Sequence, residues 1–190
     1  TTQDNVKDNN DSFKYMFYNY SHKYKQPVDL RVVVMTMNRS DYLRSLLDSL
    51  KLLEMDGASI AIEIWIDTNE ENYIDTQTLI TSNNFAKTNT NVTVHVHRSH
   101  VGLYGQWLTT YSSDHLSAND KEIVLFLEDD QLVSRHGYKW LKAVHENFGN
   151  RSDYLGCALT PLGKVHKMFW GLPQSHSVFM HQIYSTHAFS

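Results

Sequence analysis

Apolar residues recur along this chain with two alternating periods, and the alternation predicts its fold. Residues 31–37 (RVVVMTM) form a β-branched run that reads as a strand. From residue 40 the period becomes helical. Leu43, Leu46, Leu47, Leu50 and Leu53 share one face, after Ser40 and Asp41, which suit an N-cap and a first-turn acid. Gly57 closes that segment. Residues 60–66 (IAIEIWI) predict a second strand ending in Asp67-Thr68-Asn69, and a weaker helical stretch covers 75–83. Residues 92–97 (VTVHVH) predict a third strand, with valines on one face and Thr93, His95 and His97 on the other. A helix over 102–111 follows in spite of Gly105. Residues 123–127 (IVLFL) have no polar face, as expected of a strand covered on both sides. Ser134 then precedes a helix carrying Tyr138, Leu141, Val144, His145 and Phe148, which Gly149 stops. A fifth strand is expected over 154–160.

Strands alternating with helices across short loops predict an α/β fold: a single Rossmann-like domain with a mostly parallel sheet flanked by helices. Ahead of it, Phe13, Met16, Phe17, Tyr20 and Tyr24 fall at helical spacing, and Pro27 ends that segment. Beyond Pro161 the pattern dissolves into an aromatic- and histidine-rich stretch. The expected organisation is an N-terminal stem and helical extension over 1–29, a core over 30–160, and the start of a further region over 161–190.

Composition narrows the function. A chain of 190 residues can bury one substantial core, and a net charge of -4 with scattered arginines (Arg31, Arg39, Arg44, Arg98, Arg135, Arg151) argues against a nucleic-acid partner. No stretch approaches the roughly 20 apolar residues of a membrane span, and the polar start from Thr1 to Asp11 reads as neither signal peptide nor anchor. The lone Cys157 excludes a disulfide framework or Cys-based zinc site and suits a buried, inert thiol. Asn10, Asn19, Asn38, Asn91 and Asn150 each begin an N-x-S/T sequon, which leans toward a Golgi or secretory lumen, with a cytoplasmic location as the alternative.

The candidate chemistry sits at strand ends. Glu128, Asp129 and Asp130 arrive together where the fourth strand stops, and adjacent carboxylates resist common ionisation unless a cation neutralises them. A divalent metal with oxygen ligands is one solution, and all-oxygen ligands favour Mn²⁺ or Mg²⁺ over Zn²⁺. In open α/β sheets ligands bind outside the carboxyl ends of strands, where Thr36, Asn38, Arg39, Asp67, Arg98 and Gly102 also fall. Neither a G-x-G-x-x-G nor a Walker A sequence is present, so phosphates would be held by arginine and metal. Simpler readings stand beside these. The acids could form a solvated turn or cap a helix, Arg39 could pair with Asp41, and Asp67 could start an Asx-turn. His95, His97 and His100 lack an evident fourth zinc ligand and read as ordinary histidines.

Three segments together resemble the GT-A glycosyltransferases, especially the Golgi N-acetylglucosaminyltransferases that carry an EDD form of the D-x-D motif: VVVMTMNRS (32–40), IWID (64–67) and LFLEDDQLV (125–133). The resemblance covers roughly residues 30–160. It implies that Asp130 ligates Mn²⁺ (or Mg²⁺), that Glu128 and Asp129 serve the ribose, the sugar or metal-bound water, that Arg39 approaches the nucleotide phosphates, and that Asp67 contacts the base. It implies transfer of a sugar from a nucleoside-diphosphate sugar, UDP-sugar favoured, to a glycan or other hydroxyl acceptor. The chain departs from the family in two places. Gln106-Trp107-Leu108-Thr109-Thr110 lacks the nucleotide-contacting histidine, and the family's catalytic base falls in a segment beyond Ser190. Some relatives add a late histidine to the metal, for which His166, His176, His181 and His187 are candidates. The alternatives are an inactive GT-A-like module that binds nucleotide-sugar or glycan, a sugar nucleotidyltransferase, and a metal-dependent phosphohydrolase. The nucleotidyltransferase would usually carry a glycine-rich loop where Met37-Asn38-Arg39-Ser40 stands.

Overall fold

Strand β1 (Leu30–Thr36) is buried along its whole length because it lies between two neighbours of one parallel sheet. The computed structural model describes residues 28–110, 121–154, 156 and 157. Within them, helix α1 (Ser40–Lys51), strand β2 (Ile60–Ile66), helix α2 (Thr76–Thr88), strand β3 (Val92–Val96), helix α3 (Gly102–Thr109), strand β4 (Ile123–Glu128) and helix α4 (Gly137–Phe148) follow β1 in order. The strands form a four-stranded sheet in the order β3-β2-β1-β4, with every pairing parallel. This is the Rossmann-like α/β architecture that the alternating periods predict.

The strand order decides which face each helix covers. From β1 to β2 to β3 the chain advances in one direction, so right-handed crossovers put α1 and α2 on the same face. That face carries Leu30, Val32, Val34, Ile62, Ile64 and Ile66, packed against Leu43, Leu46, Leu47 and Leu50 of α1 and Phe85 of α2; Tyr138 and Leu141 of α4 complete the cluster. From β3 to β4 the chain reverses direction, and α3 falls on the opposite face. There Trp107 meets Phe126 with ring centroids 5.3 Å apart, beside the smaller cluster of Val33, Trp65 and Val124.

The second face also holds charge. Arg31 is buried with Glu63 and Glu122: its Nε donates to Glu122 Oε1 at 2.6 Å and its Nη1 to Glu63 Oε1. The three side chains are 2 %, 2 % and 0 % exposed. Burial works against the Arg31 charge, but the two glutamates outweigh it and raise the guanidinium pKa further. Read as a sequence, Arg31 was only one of several scattered arginines.

Element ends differ from the sequence expectation where local caps decide them. Helix α2 runs to Thr88, and Asp75 caps it by accepting from Thr78 N at 2.8 Å. Arg39, not Ser40, occupies the N-cap of α1, and His136, not Ser134, that of α4; neither makes a side-chain cap bond. Helix α1 stops at Lys51, and Gly57 at φ +84° serves the later turn into β2. The expected helix over 13–24, most of the expected fifth strand and the whole of 161–190, with its four histidines, lie outside the described residues. Tyr154, Gly156 and Cys157 are described and are not in a strand. Among the described residues no helix is long and apolar enough to cross a membrane.

Gly105 has a packing reason inside α3. A Cβ there would stand 2.7 Å from Val101 Cβ. Gly105→Ala is therefore expected to destabilise the protein by about 1–3 kcal/mol, as overpacking does, despite alanine's better helix propensity. Urea denaturation would measure the loss, and Val101→Ala in the same chain should recover most of it. A stabilising Gly105→Ala would show that α3 shifts freely.

Candidate functional site

Strand order reverses between β1 and β4, and in sheets of this kind the crevice at such a reversal, outside the carboxyl ends, is where ligands bind. The last register pair of these strands is Met35 with Glu128. One step further Thr36 and Asp129 stand side by side, and Thr36 Oγ1 donates to Asp129 Oδ2 at 2.7 Å. Arg39, three residues past the end of β1, closes the group: it pairs with Asp129 Oδ1 and, at 3.0 Å, with Asp130 Oδ2.

The three consecutive acids are thereby divided. Glu128 shares its face with Met35, and strand alternation sends Asp129 to the other. Asp129 is 2 % exposed, and burial pushes its carboxyl pKa up against the lowering effects of Thr36 and Arg39. Asp130 is 43 % exposed at the mouth, with Arg39 equally open at 45 %. The cation paired with Asp129 and Asp130 is the Arg39 guanidinium. Arg39 does not pair with Asp41, whose partner is Arg44 at 3.3 Å. Among the described residues no group of three or more His, Cys, Asp or Glu side chains converges as a metal cage. The donors fit a divalent cation only in the mode where one carboxylate, that of Asp130, shares coordination with a ligand's phosphates.

A second polar group lies at the ends of β2 and β3. Asp67 is buried, and its partners are internal. Oδ1 accepts from Thr68 N at 2.9 Å and Val101 N at 3.0 Å, and Oδ2 from Gly102 N at 2.8 Å. Asp67 thus holds the N–H of its own neighbour and the first N–H groups of α3, where a helix favours negative charge. Gly102 needs to be glycine there, because its φ is +68°. His100 joins the group, its Nδ1 3.1 Å from Asp67 Oδ2 and 2.5 Å from Thr68 O. The two groups meet at the Thr36 carbonyl, which accepts from Asp67 N at 2.9 Å and from Gln106 Nε2 at 3.3 Å. Asn38 and Arg98 are exposed at the ends of β1 and β3.

Sequence reasoning treated His100 only as a zinc candidate and gave Gln106 no role of its own. The usable signal for His100 was its place two residues before a glycine at a strand end. His95 and His97 belong to the interior: His95 stacks on Trp65 with centroids 4.3 Å apart, and burial lowers the His97 pKa, opposed by Asp67.

No family model and no curated protein matches this sequence. Solved structures of TarS from S. aureus resemble it in part. The 1–349 fragment aligns over 64 % of this chain and 33 % of its own length at 20 % identity, with a TM-score of 0.46. The same fragment with UDP gives 64 %, 33 %, 18 % and 0.47, and with UDP-GlcNAc 64 %, 32 %, 18 % and 0.47. The chain spans about a third of the length of these proteins.

Proposed function

We propose that residues 30–160 form the donor half of a GT-A glycosyltransferase related to the EDD-bearing N-acetylglucosaminyltransferases, which moves a sugar from a UDP-sugar to an acceptor hydroxyl. The carrying observation is the Thr36–Asp129–Arg39–Asp130 constellation at the reversal of strand order. A buried carboxylate that holds a half-exposed arginine at the mouth of such a crevice presents a fixed, planar donor to a diphosphate. Thr36 keeps Asp129 in place, and Asp129 in turn aims Arg39. Asp130 would hold Mn²⁺ or Mg²⁺ together with the diphosphate, and the ion, when bound, supplies Lewis-acid stabilisation of the departing group. Arg39 then has to exchange Asp130 for phosphate. Metal and nucleotide are therefore expected to bind with positive coupling, each removing the other's competitor for Arg39 or Asp130.

Calorimetric titration of UDP with and without Mn²⁺ tests this reading. The wild type is expected to bind UDP about 100-fold more tightly with Mn²⁺, and Asp130→Ala to lose that gain. Equal affinity with and without the ion would remove Asp130 from metal binding. No affinity for any nucleotide would overturn the donor-site reading.

A further inference from the structure

Tyr42 lies off the face that α1 buries. The helix packs through Leu43, Leu46, Leu47 and Leu50, whereas Tyr42 is 58 % exposed. Its ring meets the site instead. Arg39 is the N-cap of α1 and Tyr42 stands three residues on, a spacing that makes side chains neighbours along a helix. The Arg39 guanidinium carbon lies over the Tyr42 ring, 5.8 Å from its centroid. That distance is within cation–π range. Asp41 pairs with Arg44 at 3.3 Å, so the nearest acid in sequence does not draw Arg39 away from the ring.

Arg39 therefore has contacts of two kinds. Asp129 Oδ1 takes its Nη2 and Asp130 Oδ2, at 3.0 Å, its Nη1. The ring takes no particular N–H group, because it attracts the positive charge through its electron-rich face. Exchange of one acceptor thus leaves the ring contact in place. On the donor-site reading a phosphate oxygen replaces Asp130, and of its present partners Arg39 keeps Asp129 and Tyr42. The Arg39 side chain is 45 % exposed, and a loosened arginine has much rotamer freedom to lose on binding. We infer that Tyr42 is a positioning residue: its ring keeps the Arg39 guanidinium at the mouth, with Nη1 offered to a phosphate oxygen, while Asp130 turns to the metal. The planar ring and the charge suffice for this role, and the phenol hydroxyl does not enter it.

The inference rests on the nucleotide-sugar reading for its effect on binding, and two measurements on the full chain separate them. The first needs no ligand. Asp130→Ala frees Nη1 as the exchange would, and ¹⁵N relaxation then reads the motion of the Arg39 Nε–H. Tyr42→Leu added to Asp130→Ala is expected to lower its order parameter toward about 0.6, the mark of a mobile group. Tyr42→Phe added to the same variant should leave it where Asp130→Ala alone has it. Equal values for the Leu and Phe variants would overturn the inference. The second is calorimetry of UDP with Mn²⁺. Tyr42→Leu should weaken UDP by about 5-fold, the worth of an exposed cation–π contact, and Tyr42→Phe by less than about 2-fold. On an Arg39→Ala background Tyr42→Leu should cost nothing further. The same loss on both backgrounds would mean that the ring touches the nucleotide itself and would overturn the positioning role while the donor site stands. A wild type that binds no nucleotide would overturn the donor-site reading, and the relaxation result alone then decides whether Tyr42 positions Arg39.

Discussion

Arg31→Ala is expected to lower the unfolding free energy by about 3–5 kcal/mol, a large part of the 5–15 kcal/mol typical of a whole domain. Arg31 pairs with both glutamates, and its removal takes the guanidinium from between two buried carboxylates. Those carboxylates come from β2 and from the entry to β4, so the loss falls on both neighbours of the central strand at once. Chemical denaturation followed by circular dichroism measures it. The triple replacement Arg31→Met, Glu63→Gln, Glu122→Gln should be far milder than Arg31→Ala alone, because breaking a buried pair costs more than replacing the whole group. A loss below about 1 kcal/mol for Arg31→Ala would mean that water reaches the two glutamates without disturbing the sheet.

The second large effect is on binding. Arg39→Ala is expected to weaken UDP by 100-fold or more, about 2.7 kcal/mol, since it removes the charged donor at the mouth and frees Asp129 from its partner. It should also alter the pH dependence of stability. The Asp129 pKa is already raised by burial, with Thr36 and Arg39 opposing; without Arg39 it rises further. A carboxyl whose pKa is higher folded than unfolded binds more protons in the native state. Stability therefore falls as pH climbs from the ordinary carboxylate range through the raised value. Arg39→Ala should steepen that fall, and Asp129→Asn should flatten it. A variant that keeps wild-type UDP affinity would show that the guanidinium serves only Asp129.

The sheet was legible because each strand segment is an apolar run with a helical period on either side, and residues 60–66 match β2 end to end. The placement of Thr36, Arg39 and the acids at strand ends was legible for the same reason: a parallel sheet brings all carboxyl ends to one edge. What stayed hidden were the long-range pairings. Nothing in the local sequence says that Arg39 reaches the acids 90 and 91 positions away rather than Asp41, or that Arg31 meets Glu63 and Glu122. Asp67 illustrates the limit well. Its position was readable, but an Asx-turn would have its carboxylate accept from the residue two positions on, whereas it accepts from Thr68 N, the next one. Its grip on Val101 and Gly102 follows from where the β3–α3 connection comes to rest, which only the folded chain defines.

That grip bears on how the protein can handle an anion. The start of a helix is ordinarily a ready cradle of backbone N–H groups for phosphate. In α3 the first of these are already satisfied by an internal carboxylate. A phosphorylated ligand here must rely on discrete side-chain charge at the other gap of the sheet, partly open to solvent. Such charge, unlike a backbone cradle, is screened by salt and can be deleted one residue at a time. On the donor-site reading, nucleotide affinity is therefore expected to fall as ionic strength rises.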